Sequence, residues 1–209
     1  MTLLAVWLSI ISHRAQQQKL AVEKILGWGG SVIYDYQAIP VTPAERELGL
    51  NYNFDEKITP PSPQWLRKFI GDDYFQTVVY VGLSKTSISD EDLIILENLP
   101  ALKVLALDET KITGKGLTHL EGLKNLSELS LENTLIDDNG LAYLEKFAAL
   151  RWLGLGGRRI TDGSVKYFKN FRKLETLMLT DTQVTEKGEA SIKNDLPNTN
   201  IIRGASYWD

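Results

Sequence analysis

The stretch Leu102-Lys103-Val104-Leu105-Ala106-Leu107-Asp108-Glu109-Thr110-Lys111-Ile112-Thr113-Gly114-Lys115-Gly116-Leu117-Thr118-His119-Leu120 changes its hydrophobic period halfway along. Leu105 and Leu107 alternate with their neighbours, which places them on one face of a strand. Leu117 and Leu120 stand three apart, the spacing of a helix face. The stretch also recurs. A step of 24 from Leu102 reaches Leu126, Leu150 and Leu174, and the same step from Leu105 reaches Leu129, Leu153 and Leu177. From Leu107 it reaches Leu131, Leu155 and Leu179, and a step backwards gives Val78, Val81 and Leu83.

The second half of the unit repeats as well. Thr86, Thr110, Thr134 and Thr182 share a column broken by Arg158, and Ile88, Ile112, Ile136, Ile160 and Val184 share another. A small polar residue follows (Ser89, Thr113, Asp137, Thr161, Thr185), suited to accept a bond from the free amides of a helix start. Helical columns then run through Leu93, Leu117, Leu141 and Val165, through Leu96, Leu120, Leu144, Phe168 and Ile192, and through Leu99, Leu123, Phe147 and Phe171. Each unit is thus a short strand, a turn and a short helix. One unit cannot bury its leucines alone, but stacked units can, with strands in a parallel concave sheet and helices on the convex back. The repeat, over residues 78–202, resembles the leucine-rich-repeat family, with threonine in place of the usual asparagine or cysteine of the ninth position. The resemblance implies an α/β fold, a leucine-rich-repeat solenoid winding as a right-handed β-α superhelix behind an N-terminal α/β cap. Parallel strands are expected to centre on Val81, Leu105, Leu129, Leu153 and Leu177.

An open stack needs closing at both ends. Ile201 continues the strand column, so a last edge strand is expected there, with Tyr207 and Trp208 either folding over it or forming a loose tail. At the near end residues 12–26 read as an amphipathic helix with Leu20, Val22, Ile25 and Leu26 apolar, ended by Gly27, Gly29 and Gly30. Residues 31–36 alternate like a strand, 38–63 carry five of the seven prolines and read as an extended loop, and 63–70 read as a helix with Trp65, Leu66 and Phe69 on its apolar side. The organisation is therefore an apolar segment at 1–12, a cap at 13–77, and five repeats with a C-terminal cap strand at 78–209.

The near end carries a second resemblance. Thr2, Leu3, Leu4, Ala5, Val6, Trp7 and Leu8, then Arg14, then Ala21, Val22, Glu23, Lys24 and Ile25, then Gly29, Gly30, Tyr34, Asp35 and Tyr36 are similar to a bacterial family of membrane-anchored leucine-rich-repeat proteins. Trp65 and Leu66, followed by Gly71, Asp72, Asp73, Tyr74 and Phe75, belong to the same likeness. It implies an anchor and a repeat domain, and no established reaction or ligand. The uncharged residues 1–12 reach only about 18 Å as a helix, against ~30 Å of hydrocarbon core. Three readings of them stand beside each other: a signal peptide, a buried helix of the cap, and the second half of a transmembrane anchor. The family favours the third, with the repeats outside the cytoplasm and a soluble cytoplasmic protein as the alternative.

The composition narrows the function. A formal charge of -4 and the lack of a basic stripe with interleaved aromatics argue against nucleic acid. No cysteine is present, and the two histidines, His13 and His119, cannot make a multi-histidine zinc site. The adjacent Asp137 and Asp138 fall at a helix start, where acids suit the helix dipole. Gly154, Gly156 and Gly157 precede no P-loop lysine. No catalytic set, cofactor motif or metal site emerges.

What remains is the concave face. Its outward columns run Tyr80, Val104, Glu128, Trp152, Thr176; then Gly82, Ala106, Ser130, Gly154, Met178; then Ser84, Asp108, Glu132, Gly156, Thr180; then Lys85, Glu109, Asn133, Gly157, Asp181. Tyr80, Asp108, Glu109, Glu128, Glu132, Trp152, Met178 and Asp181 are the candidate contact residues. Trp152 is expected partly exposed, as an aromatic anchor beside acids that suit a basic protein or peptide. The alternative is a small-molecule or carbohydrate site built on Trp152 and the same acids.

Overall fold

The computed structural model describes residues 3–39, 53–55, 57–70 and 74–204. Tyr207, Trp208, Thr2, the segment 71–73 and most of the proline-rich loop lie outside the described residues. Seven strands form one sheet. Its first member, β1 (Ser31–Tyr34), runs antiparallel to β4 (Val78–Gly82). Parallel strands then follow in chain order: β5 (Val104–Ala106), β6 (Glu128–Leu131), β7 (Trp152–Gly156), β8 (Thr176–Thr180) and β9 (Asn200–Arg203). Between β1 and β4 lie a two-stranded hairpin, β2 (Ala38–Ile39) with β3 (Asn53–Phe54), and helix α2 (Gln64–Ile70).

The register is the 24-residue step itself. Val81 faces Leu105, which faces Leu129, which faces Leu153, which faces Leu177, and Ile201 closes the series. All five centres from Val81 to Leu177 are fully buried. These pairings, with one strand and one helical turn per unit, make the molecule a leucine-rich-repeat solenoid.

Helix geometry on the back changes along the array. In the first three repeats the helices Asp90–Asn98, Gly116–Leu120 and Asp138–Lys146 are 3-10. A 3-10 turn holds three residues, so side chains three apart lie directly above one another. That is the spacing of Leu93, Leu96 and Leu99, and of Leu141, Leu144 and Phe147, all buried. The fourth repeat passes from a 3-10 turn into α3 (Val165–Phe168). In the fifth, the buried Gly188, Ile192 and Leu196 stand four apart, and a true α-helix, α4 (Glu186–Asp195), forms.

The near end is closed by α1 (Leu3–Gly27), which runs unbroken through residue 12. Ala15, Gln18, Ala21, Val22 and Ile25 are its buried stripe, while Leu20 and Leu26 face out, so the apolar side is narrower than the sequence reading placed it. Gly29 takes the left-handed conformation (φ 81°) that the glycine run foretold, and the Gly30 amide bonds back to Ile25 O at 3.0 Å. Gln18 then ties helix to sheet: its amide donates to Gln76 O at 2.9 Å and accepts from the Val78 amide at 3.1 Å. Trp65, expected on the packed side of α2, is exposed.

The membrane expectation is overturned. The apolar part of α1 ends where His13, Arg14, Gln16, Gln17, Gln18 and Lys19 begin, and its second half packs on the first repeat. Among the described residues no helix is long and apolar enough to cross a membrane. The reading of a membrane-anchored chain with its repeats outside the cytoplasm is corrected accordingly. Val6, Trp7 and Ile10 remain exposed on α1.

Candidate functional site

The concave face is built as the columns require. Tyr80 pairs with Val104, Val104 with Glu128, Glu128 with Trp152 and Trp152 with Thr176, so these side chains stand on neighbouring strands. Gly82, Ala106, Ser130, Gly154 and Met178 form the next row by the same pairings. Residues two apart on a strand share a face, so each row is the other's neighbour along the strand.

That neighbourhood decides how Trp152 sits, and it differs from the expectation of an exposed anchor. Trp152 is only 6% exposed. Its ring lies along its own strand over Gly154, where an added Cβ would stand 2.6 Å from Trp152 Cη2. Tyr80 repeats the device over Gly82, where a Cβ would meet the tyrosine oxygen at 2.7 Å. The glycines read as a small-residue bed around an upright tryptophan are the floor on which each aromatic lies flat. Phe54 of β3 closes on Tyr80, ring centres 5.4 Å apart. Burial raises the Tyr80 hydroxyl pKa, against a lowering hydrogen bond with Ser31, and the Asp108 charge adds to the rise.

The acids divide into two groups. Asp108, Glu128 and Glu132 are buried, as is Met178, whereas Glu109 and Asp181 are exposed. Asp108 links three successive repeats: its Oδ1 accepts from the Ser130 hydroxyl at 2.5 Å and the Glu132 amide at 2.8 Å, and its Oδ2 accepts from the Ser84 hydroxyl at 3.1 Å. Burial nevertheless raises its pKa above the ordinary carboxylate value, although all these bonds pull the other way. Sequence reasoning placed Ser84 and Ser130 in the outward columns without giving them this holding role. Beyond Gly156, in register with it, the buried Thr180 hydroxyl has no hydrogen-bond partner among the described residues.

The fourth column has a backbone signature that the sequence did not disclose. Lys85, Glu109, Asn133, Gly157 and Asp181 all have positive φ, between 52° and 97°. Each strand therefore leaves the sheet through a left-handed residue, and the side chains there stand on the rim. Glu109 pairs across that rim with Lys85 at 3.4 Å. Three members of the threonine column just beyond close their turns, while the buried Thr182 hydroxyl has no hydrogen-bond partner among the described residues. The hydroxyls of Thr86, Thr110 and Thr134 donate to the carbonyls of Leu83, Leu107 and Leu131 at 2.6, 2.6 and 2.9 Å.

At the opposite side of each turn the helix-start acids are structural. Asp137 accepts from the Gly140 amide at 2.9 Å and so caps its own helix. Asp138 reaches the next repeat, taking the Thr161 amide at 2.7 Å and its hydroxyl at 2.5 Å. Among the described residues no group of three or more metal-ligating side chains occurs.

No family model and no curated protein matches the chain. Among solved structures it is similar to a leucine-rich-repeat protein of Leptospira interrogans, at 24% identity and a TM-score of 0.41, over 52% of this chain and 27% of that one. An internalin of Listeria monocytogenes gives 22% identity and a TM-score of 0.41, over 52% and 32%. Actin-binding site 2 of leiomodin-1 gives 18% and 0.46, over 57% and 79%. The chain thus spans about a third or less of the two bacterial proteins. The fold itself rests on the chain's own columns and sheet register.

Proposed function

We infer that this chain is a non-catalytic protein-interaction module whose concave face receives a protein or peptide of basic character. The observation that carries the reading is the outward row Ser84, Asp108, Glu132, Gly156 and Thr180. Two buried acids stand on this outward sheet face, beside a Thr180 hydroxyl with no hydrogen-bond partner among the described residues. Burial takes the Asp108 carboxylate out of water and opposes its ionisation, although Ser84, Ser130 and the Glu132 amide all bond it. A lysine or arginine laid along this row would offset that effect. The flat Trp152 supplies an apolar wall beside it and no projecting anchor, which weighs against the sugar-stacking alternative. The face is small. Six parallel strands at ~4.8 Å spacing and under ~20 Å long give on the order of 500 Å², less than the ~800 Å² per partner of a standard interface, so a peptide-sized target fits best.

Panning a random dodecapeptide display library against the wild-type protein, with counter-selection on a Glu128→Gln/Glu132→Gln variant, tests the reading. A consensus rich in lysine or arginine that the variant fails to retain is the expected result. A consensus without basic residues, or one the variant binds equally, removes the basis for it.

A further inference from the structure

The loops that lead from each helix back to the next strand form the edge of the solenoid opposite the left-handed rim. Their columns are uneven. Lys124, Ala148 and Arg172 occupy one, and Asn125, Ala149 and Lys173 the next. The third repeat is thus cut down to two alanines between cationic neighbours on both sides. In the structure this leaves a notch made of two depressions, about 510 and 210 Å³, which share Ala149 and Lys173.

The walls of the notch are strongly one-signed. Lys124, Lys146, Arg151, Arg172 and Lys173 line it, with Glu175 the single acid among its lining residues. Lys146 is engaged by Glu121, and Arg151 by Glu175. Lys124 spends its ammonium on a backbone carbonyl, Glu121 O, at 2.7 Å. Arg172 and Lys173 are exposed and have no carboxylate partner among the described residues. Three cations are therefore left without a neutralising charge on a chain whose net charge is -4. Like charges gathered on one patch repel one another, and an anionic partner relieves that repulsion while drawing itself in.

We propose that this alanine-floored notch is a docking site for an acidic peptide segment. The lysine-bearing wall and the arginine-lysine wall belong to loops two repeats apart, about 10 Å at ~4.8 Å per strand. At ~3.3 Å per residue of extended peptide, acids at i and i+2 or i and i+4, which share a face, stand about 7 or 13 Å apart and bracket that distance. Nucleic acid suits the notch less well. Phe147 is buried, leaving no ring among the lining residues to stack a base. The site is independent of the concave face: its residues point from another edge and select the opposite charge.

The test is fluorescence anisotropy with a labelled Gly-Glu-Glu-Gly-Glu-Glu-Gly peptide, the intact chain, and two double variants of equal charge change. Arg172→Gln/Lys173→Gln removes two of the notch's three unneutralised cations, and Lys111→Gln/Lys115→Gln removes two exposed cations from the other edge. The peptide is expected to bind wild type and the second variant alike. Binding by the first should weaken about tenfold, and wild-type binding should weaken about fivefold between ~50 and ~300 mM salt as charge is screened. Equal weakening by both variants would reduce the effect to net charge and overturn the site, as would no binding at low salt. A labelled oligothymidine bound more tightly than the peptide would overturn the choice of partner. So would self-association of the wild type that the Arg172→Gln/Lys173→Gln variant abolishes, since the occupant would then be a second copy. All four replaced side chains are exposed, and unchanged thermal midpoints confirm that folding is not the cause.

Discussion

The junctions between repeats are not tied alike. Between the first and second, Asp90 takes the Thr113 amide and hydroxyl at 2.8 and 2.5 Å. Asp138 does the same to Thr161 between the third and fourth, and Asp162 to Thr185 at 2.8 and 2.7 Å between the fourth and fifth. The second-to-third junction has Gly114 where the others have aspartate, and Asp137 where the others have threonine. A carboxylate only accepts, so Asp137 offers nothing that an acid at position 114 could bind. The two exceptions therefore belong together. That junction is tied from the other side instead, where the Asp108 carboxylate holds Ser130 and Glu132 on the concave face. One repeat array uses aspartate twice, exposed or half-buried at the helix-start edge and buried on the sheet.

The comparison can be attacked from its strongest common element downward. Leu129, at the core of the third repeat, serves both kinds of junction, and Leu129→Ala should cost about 2–5 kcal/mol in chemical denaturation. A loss under about 1 kcal/mol would mean that the stacked leucines are not what holds the array. Gly114→Asp, which inserts the missing tie, should destabilise by about 1–3 kcal/mol. The new Cβ would stand 2.5 Å from Gly140 Cα, with its carboxylate near Asp137. Stabilisation by that change would show the bare junction to be an accident. Asp138→Ala should cost about 1 kcal/mol, as for loss of a helix cap, and speed hydrogen exchange at the Thr161 amide while leaving Thr113 unchanged.

The smallest effect is one of sign. Hydrogen bonds from the Thr185 hydroxyl and then its amide lower the Asp162 pKa. Its folded value lies below the unfolded one, so its contribution is present above about pH 4 and is lost as pH falls through the folded value. Burial raises Asp108, whose contribution is full below about pH 4 and is lost as pH rises through its folded value. On acidification the thermal midpoint of wild type should therefore fall relative to Asp162→Asn and rise relative to Asp108→Asn. Parallel curves for the two pairs would erase the distinction between the ties.

Much of this was legible in the residues and some of it was not. The strand centres, their order and register, and the edge strand at Ile201 follow from identical leucines at one step, because only one stacking buries them all. The change from 3-10 to α geometry was not legible, since the fourth repeat keeps the spacing of three at Val165, Phe168 and Phe171 and still forms α3. Trp152 was misjudged because a column shows which face a side chain takes, while its tilt depends on the residue two places along. The apolar residues 1–12 suggested a membrane because hydropathy alone does not reveal that the helix continues into a polar, packed half. The left-handed rim was hidden because Lys85 and Glu109 are types that seldom take that conformation, although Asn133, Gly157 and Asp181 in the same column tolerate it. The basic notch was overlooked because it depends on what two alanines fail to fill.

The strands lie across the direction in which the repeats succeed one another, and so the ladder bonds point along it. A pair of optical traps holding the two ends of this molecule would load those bonds in line, one rung at a time, as a zip is opened. Among the described residues β9 has a neighbouring strand on one side only, while β4 is flanked by β1, on which α1 packs. Peeling should therefore start at the C-terminal end and run towards the cap at low force. Each repeat of 24 residues released would lengthen the tether by about 80 Å, at ~3.4 Å per residue.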